Sequence, residues 1–424
     1  MGPAHEKTEA SQTRHHYAIR GLALLTFVNL FNYIDRYVVS AIVGSLKEDS
    51  ALALDDQQAG LLMTSFIVVY TLASPLFGRL GDTANRPRLI ALGVFIWSVA
   101  TAAGGLAGSF LGLMIARALV GVGEAAYGTV AAPMIADWFP PAKRGMAYAV
   151  YFMAIPVGAA LGYVLGGLAD AAFGWRNAFF IAGLPGVLLA WWVSRIPDPV
   201  RGGLDKDISV TTDARSSLKV YKELLSGLAE FRLAALGYAA YTFAVGGLAF
   251  WMPSYLERAH GVTREAATVQ FGGIVLITGL LGTLVGGWVT DKLRRSRPQA
   301  AMEVCAASTL LAVPFVAGVL FTESRSAGVL CLVVAQLLLF ASTGPINTAL
   351  VEFVPPSLRA RASALAILIM HVLGDVPSPP LIGWLSDRSD LATALQIVPV
   401  AVLASGVLWL KAAQPARAES AAND

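Results

Sequence analysis

Asp35, Arg117 and Glu124 stand inside long apolar runs of the first half of the chain, where an ionisable group costs about 2.5–3.5 kcal/mol at mid-membrane. Arg117 and Glu124 are seven residues apart, two turns along one helical face, with Gly121 between them. Asn32 and Asp35 share a face of an earlier run. Burial favours a protonated carboxyl and a nearby guanidinium favours the carboxylate. Small movements of Arg117 would therefore switch Asp35 or Glu124 between holding and releasing a proton, which is how proton coupling would be built. The alternative is a permanent ion pair that only joins two helices. Arg36 sits about 100° around the helix from Asp35. It is expected either to hold an anionic headgroup, with Asn32 and Tyr127 as further substrate contacts, or to reach a neighbouring helix.

His371 and Asp375 are four apart and share a helical face, as a pH-sensing pair or a packing pair would. Pro377, Pro379 and Pro380 follow them, and the lost backbone donors predict a broken helix there. Cys305 and Cys331 lie in apolar runs, so neither a disulfide nor a metal site is expected, and no cofactor is implied. A membrane-embedded lipid hydrolase would need a nucleophile with a base, but His371 is the only intramembrane histidine and no Gly-x-Ser-x-Gly elbow occurs. The chain is not expected to be an enzyme.

These residues need a membrane scaffold. Hydrophobic residues make up 56% of the 424-residue chain, charged residues 14%, and the mean hydropathy is +0.63; a soluble surface would need far more charge. The net charge of +3 forms no nucleic-acid-binding stripe. Twelve apolar spans are predicted, six over 18–195 and six over 230–411, each near the twenty residues that cross a bilayer. A polar linker over 196–229 carries Leu218, Tyr221, Leu225 and Leu228 at the spacing of an amphipathic surface helix. Residues 1–17 and 412–424 are expected as cytoplasmic tails, the first one disordered and without a cleavable signal peptide. Basic residues concentrate on the loops that share a side with the termini, which places that side in the cytoplasm of a plasma or bacterial inner membrane. The expected architecture is an all-α integral membrane protein, two pseudo-symmetric six-helix bundles in a chain that acts as a monomer.

The halves repeat. Gly78–Arg86 matches Gly287–Arg295, with Gly, Asp and Arg at the same offsets, and Ile135–Arg144 aligns without gaps on Leu350–Arg359. Asp82 and Asp291 are 209 residues apart, and Asp137 and Glu352 are 215 apart. A parallel repeat in a membrane protein points to a carrier that rocks about a central axis. Asp82 with Arg86, Asp291 with Arg295, Asp137 with Arg144, and Glu352 with Arg359 are the expected gating pairs, where an acid can meet the positive end of a helix.

The loop Gly78-x-Leu80-x-Asp82-x-x-x-Arg86 resembles the signature between the second and third helices of the major facilitator superfamily. Arg117-x-x-x-Gly121-x-Gly123-Glu124-Ala125 resembles that superfamily's fourth-helix motif. Asn32-Tyr33-Ile34-Asp35-Arg36, Gln58-Ala59-Gly60-Leu61-Leu62 and the run from His371 to Gly383 are similar to the spinster family within it. The resemblance implies a secondary transporter of alternating access, moving a lysophospholipid or a sphingosine-phosphate-like lipid. Aromatic residues such as Phe27, Phe31, Tyr70, Trp97, Tyr241 and Phe243 would line a tail pocket or merely pack. The Asn-Tyr-x-Asp-Arg motif also resembles carriers of sugar acids, so a small organic anion stays open as cargo. Few polar candidates in the second half, chiefly Gln336 and Asn347, lean the choice to lipid.

Overall fold

A computed structural model describes residues 3–202, 204, 217–355 and 358–414. The expected twelve spans are present as helices long and apolar enough to cross a membrane, and the chain is an all-α, multi-pass integral membrane protein. In order the helices are α1 Pro3–Glu48, α2 Asp56–Thr83, α3 Arg86–Gly104, α4 Phe110–Trp138, α5 Pro141–Phe173, α6 Trp175–Val193, α7 Ser217–Gly227, α8 Ala229–His260 and α9 Arg264–Arg294. They continue as α10 Ala300–Phe321, α11 Arg325–Phe340, α12 Thr343–Glu352, α13 Arg359–Met370, α14 Ser378–Ser386, α15 Leu391–Ala394 and α16 Ile397–Ala412.

Local sequence sets the ends. Asn85, Ser109 and Ser324 cap α3, α4 and α11 by accepting first-turn amides. Gly174 closes α5 and opens α6 at φ +81, a backbone conformation that a side chain would strain. The amino-terminal segment departs from the expected disordered tail, because α1 begins at Pro3. Its Ala, Glu, Lys and Gln residues propagate a helix that the membrane span has already nucleated. The opposite tail, from residue 415, lies outside the described residues.

Three spans are interrupted, the twelfth only by the turn at Leu395-Gln396 between α15 and α16. Span eleven breaks where the prolines predict, but the disturbance starts earlier: residues His371–Asp375 form a π-helical turn before α14. Span ten breaks between α11 and α12, which the sequence reading missed. There Ser342 Oγ bonds Ser308 and Thr309 of α10, and Gly344-Pro345 supplies the breaking signal.

The chain divides into two compact units. Unit 1 holds residues 1–54, 61–208 and 263–273; unit 2 holds 55–60, 209–262 and 274–424. The units thus follow the sequence halves except at two helix starts, those of α2 and α9, which each pack with the other half's helices. Within unit 1, α1 packs on α5, and α3 on α4 and α6; within unit 2, α8 packs on the α13–π-turn segment, and α10 on α11 and α16. The same pattern twice is what a duplication predicts. The linker helix α7 turns Val220 and Leu224 inward against its own unit rather than outward, with Tyr221, Leu225 and Leu228 half-buried beside them.

A glycine seam fixes α1. A Cβ at Gly158 would lie 2.6 Å from the Leu30 carbonyl oxygen, and one at Gly162 would lie 2.7 Å from that of Ile34. Backbone cannot yield as a side chain can, so α5 approaches α1 as small residues allow. Gly162→Val is expected to lower the melting temperature in detergent micelles by the equivalent of about 1–3 kcal/mol, the usual cost of overpacking. An unchanged melting curve would contradict the seam.

Candidate functional site

Unit 1 holds four charges in two crossed pairs, three of them buried and Arg36 half-buried. Arg36 Nε and Nη2 donate to the same Glu124 oxygen, at 2.9 and 2.8 Å. Asp35 accepts from Thr101 Oγ1 at 2.7 Å and from Arg117 Nη1 at 3.4 Å. Glu124, Arg117 and Asp35 are each exposed by no more than 1%. With Arg36 counted, the four formal charges cancel, which is the condition for keeping them in an apolar interior. Arg36, one of the expected headgroup ligands, is thus tied to Glu124, while Asp35 is the partner of Arg117.

Glycines of α4 bring these groups together. A Cβ at Gly121 would lie 2.5 Å from the Phe66 carbonyl oxygen, and one at Gly123 would lie 2.5 Å from that of Gly93. So α2 and α3 both close on α4 at the level of the charges. The Phe66 ring then packs against both guanidinium groups, its centre 4.9 Å from that of Arg36 and 5.2 Å from that of Arg117. Tyr33 and Tyr70 complete an aromatic collar around Arg36 at 4.9 and 5.4 Å. The pairing leaves buried valences open. Glu124 Oε1, Arg117 Nε and Nη2, and Asn32 Nδ2 have no hydrogen-bond partner among the described residues. Tyr127, in contrast, is committed: its hydroxyl donates to the Leu25 carbonyl at 2.7 Å and its ring meets Trp97 edge-on.

Unit 2 holds no matching cluster among the described residues. Gln336 is buried, Asn347 donates to the Thr343 carbonyl, and Tyr241 donates to the Leu339 carbonyl. His371 Nδ1 lies 3.0 Å from both Asp375 oxygens, inside the π-helical turn. Of the aromatic candidates, Trp97 and Tyr241 are buried, Phe31, Tyr70 and Phe243 half-buried, and Phe27 exposed.

At the basic-rich helix ends the two repeat copies differ. In the first, Arg86 is buried and donates to Asp137 at 2.5 Å, while Arg144 donates to the Ala136 and Phe139 carbonyls at the end of α4. In the second, the guanidinium that reaches Glu352 belongs to Arg294 rather than Arg295. The reason is local: α2 ends at Thr83 and Asn85 caps the next helix at Arg86, whereas α9 runs on through Arg294. Asp82, Asp291 and Arg295 are exposed, and the side chain of Arg359 lies outside the described residues.

The opposite helix ends carry residues that the sequence reading missed. In unit 1, Arg264 at the start of α9 donates to Ser45 and to Glu48, and lies 3.9 Å from Asp170. In unit 2, Asp56 at the start of α2 accepts from Arg258 at 2.6 and 2.8 Å and from Ser386 at 2.7 Å. Asp387 accepts the amides of Asp56 and Gln57, each at 2.9 Å. A signal existed. Gly166-x-Leu168-x-Asp170 and Gly383-x-Leu385-x-Asp387 repeat the same five-residue pattern at the ends of spans five and eleven.

Comparison with known proteins agrees with this geometry. Residues 25–379 match the family described as Major Facilitator Superfamily. Protein spinster of Drosophila melanogaster is 34% identical over 381 residues, covering 86% of this chain and 61% of that protein. Protein spinster homolog 3 of Danio rerio is 35% identical over 400 residues, covering 90% and 79%. The sphingosine-1-phosphate transporter SPNS2 of Danio rerio is 32% identical over 445 residues, covering 96% and 86%. A crystal structure of a bacterial homolog to the human lysosomal transporter Spinster, inward-facing and unoccupied, superposes with a TM-score of 0.79 at 25% identity, covering 94% of this chain and 95% of that one. A D-xylose–proton symporter shares the fold, with a TM-score of 0.73 at 18% identity and coverage of 94% and 98%. Twelve spans, a duplicated Gly…Asp…Arg loop and the charge-bearing motifs on spans one and four have their place here: the chain belongs to the major facilitator superfamily and, within it, to the spinster family of transporters.

Proposed function

We propose that this protein is a proton-coupled secondary transporter of an amphiphilic lipid, a lysophospholipid or a sphingosine-phosphate-like molecule, working by alternating access with both termini in the cytoplasm. The observation that carries it is the crossed pairing of Asp35, Arg36, Arg117 and Glu124, which is neutral yet incompletely satisfied. Opening either pair would leave a buried carboxylate without its cation, and such a carboxylate takes up a proton rather than remain charged. An anionic headgroup drawn to Arg36 would compete with Glu124 for the same donors, which couples cargo to proton in one exchange. The collar of Phe66, Tyr33 and Tyr70 gives an apolar surround next to that cation, as an amphiphile requires. The relatives named as sphingosine-1-phosphate and probable sphingolipid transporters support the lipid class.

Glycine packing supports alternation. A Cβ at Gly78 or Gly287, the first residue of each repeat copy, would meet nothing within 4 Å. Near the opposite ends, a Cβ at Gly60 would lie 2.5 Å from the Pro379 backbone, and one at Gly272 would lie 2.8 Å from the Ala160 carbonyl oxygen. An interior helical glycine without a neighbour costs about 1 kcal/mol of helix stability relative to alanine. Its recurrence in both copies is accounted for by a second state in which another helix lies against it.

Proteoliposomes with an imposed pH gradient test the cargo: labelled lysolipid is expected to accumulate, and uptake of a sugar acid without lipid would overturn the lipid assignment. Asp35→Asn and Glu124→Gln are each expected to abolish gradient-driven transport, and normal pH dependence in both would remove the coupling mechanism. Arg36→Lys keeps the charge but not the fork and is expected to raise KM about tenfold, the worth of roughly one charge-assisted hydrogen bond. Gly78→Leu and Gly287→Leu are expected to keep the wild-type melting temperature while transport falls; full activity in both would argue against a second packed state.

A further inference from the structure

The linker turns back over the first repeat copy. Asp198 accepts from the Arg86 backbone N–H at 3.1 Å and from its Nε at 2.8 Å, and the Pro199 carbonyl accepts from Nη2 at 2.5 Å. With Nη1 on Asp137, every guanidinium nitrogen of Arg86 is engaged. The other Asp137 oxygen accepts the Gly202 N–H at 2.9 Å, and Gly202 has φ +64, in the left-handed region that favours glycine. Arg201 Nη2 donates to the Gly81 and Ala84 carbonyls at 3.0 and 2.6 Å, where the end of α2 leaves acceptors free. Five residues thus stitch together the ends of α2, α3 and α4.

One charge of the loop is left over. Asp82 lines a cavity of about 300 Å³ with Gly78, Arg86 and Arg201, and no hydrogen bond or ion pair reaches it among the described residues. Arg86 and Asp82 line the same cavity, so Asp82 is an acid that a guanidinium released from the linker could turn to.

We propose that Asp198–Gly202 is a strap that positions the first gating loop: by holding Arg86 inside unit 1, it keeps Asp82 unneutralised as the loop's working charge. The proposal rests on the alternating-access reading. Asp198 and Arg201 are then positioning residues, and Arg86 acts by holding the loop rather than by crossing the gate.

The test uses full-length protein in proteoliposomes, with Cys305 and Cys331 replaced by alanine and Thr129→Cys in the cavity as a reporter for a membrane-impermeant maleimide. Labelling reads how long the Gly78 side stays open. Asp82→Asn is expected to raise the labelling rate about 2- to 5-fold, the worth of one charge at a helix terminus. Asp198→Asn should raise it by the same factor at a nearly unchanged melting temperature, and the double variant should rise no further. Asp198→Ser, which keeps an acceptor without the charge, should match Asp198→Asn, whereas Asp198→Glu should label like the parent. Unchanged labelling in Asp198→Asn and Asp198→Ser, or effects that multiply in the double variant, would overturn the strap alone. Unchanged labelling in Asp82→Asn would overturn the gating reading and the strap with it.

Discussion

Hydrocarbon offers no water to a charge, so a guanidinium or carboxylate at that depth stays ionised only while the protein supplies its counterion. In unit 1 this requirement reaches into the packing of five helices, α1 to α5. Arg36 and Glu124 meet because Gly121 and Gly123 let α2 and α3 close on α4, and because the Gly158–Gly162 seam sets the rotation of α1. Removing one partner of a buried pair typically costs about 3–5 kcal/mol, far more than the pair adds over an apolar core. A cluster of this kind is poor value as a fastener. It is well suited to a site whose charge state must change during use.

The fold was legible because its signals are long. A membrane span averages its evidence over some twenty residues, and the duplicated loop gave two independent chances to see it. Helix type and number follow from length and composition alone. Pairing is a different matter. Asp35, Arg36, Arg117 and Glu124 were all visible as out-of-place charges, but which cation serves which acid depends on the rotation of α1 against α4, and that is set by glycine contacts far along the chain. The same limit explains Arg294 and Arg295: one residue of helix continuation turns a side chain by about 100°.

Short signals were easier to overlook. The break in span ten is written in Ser342 and Gly344-Pro345, a four-residue stretch inside an otherwise convincing apolar run. The Gly-x-Leu-x-Asp endings of spans five and eleven are five residues long and share only three. They become meaningful once Asp170 and Asp387 are each found against a helix start from the other half of the sequence. The division of the chain into units that trade these helix starts could not be derived from a hydropathy profile, which treats each span as belonging to its own half.

The two trades are made in different currencies of recognition, and this bears on how the family can drift. Asp387 grips backbone amides, which every residue except proline presents, so substitutions along the first turn of α2 leave that grip intact. Arg264 grips Ser45 and Glu48 through its side chain, so a single codon change erases it. The α2 end is thus held partly through backbone, with Arg258 and Ser386 on the Asp56 side chain beside it, whereas the α9 end is held through side chains. A substitution at Arg264 would therefore loosen the α9 end without touching the amides that hold the α2 end.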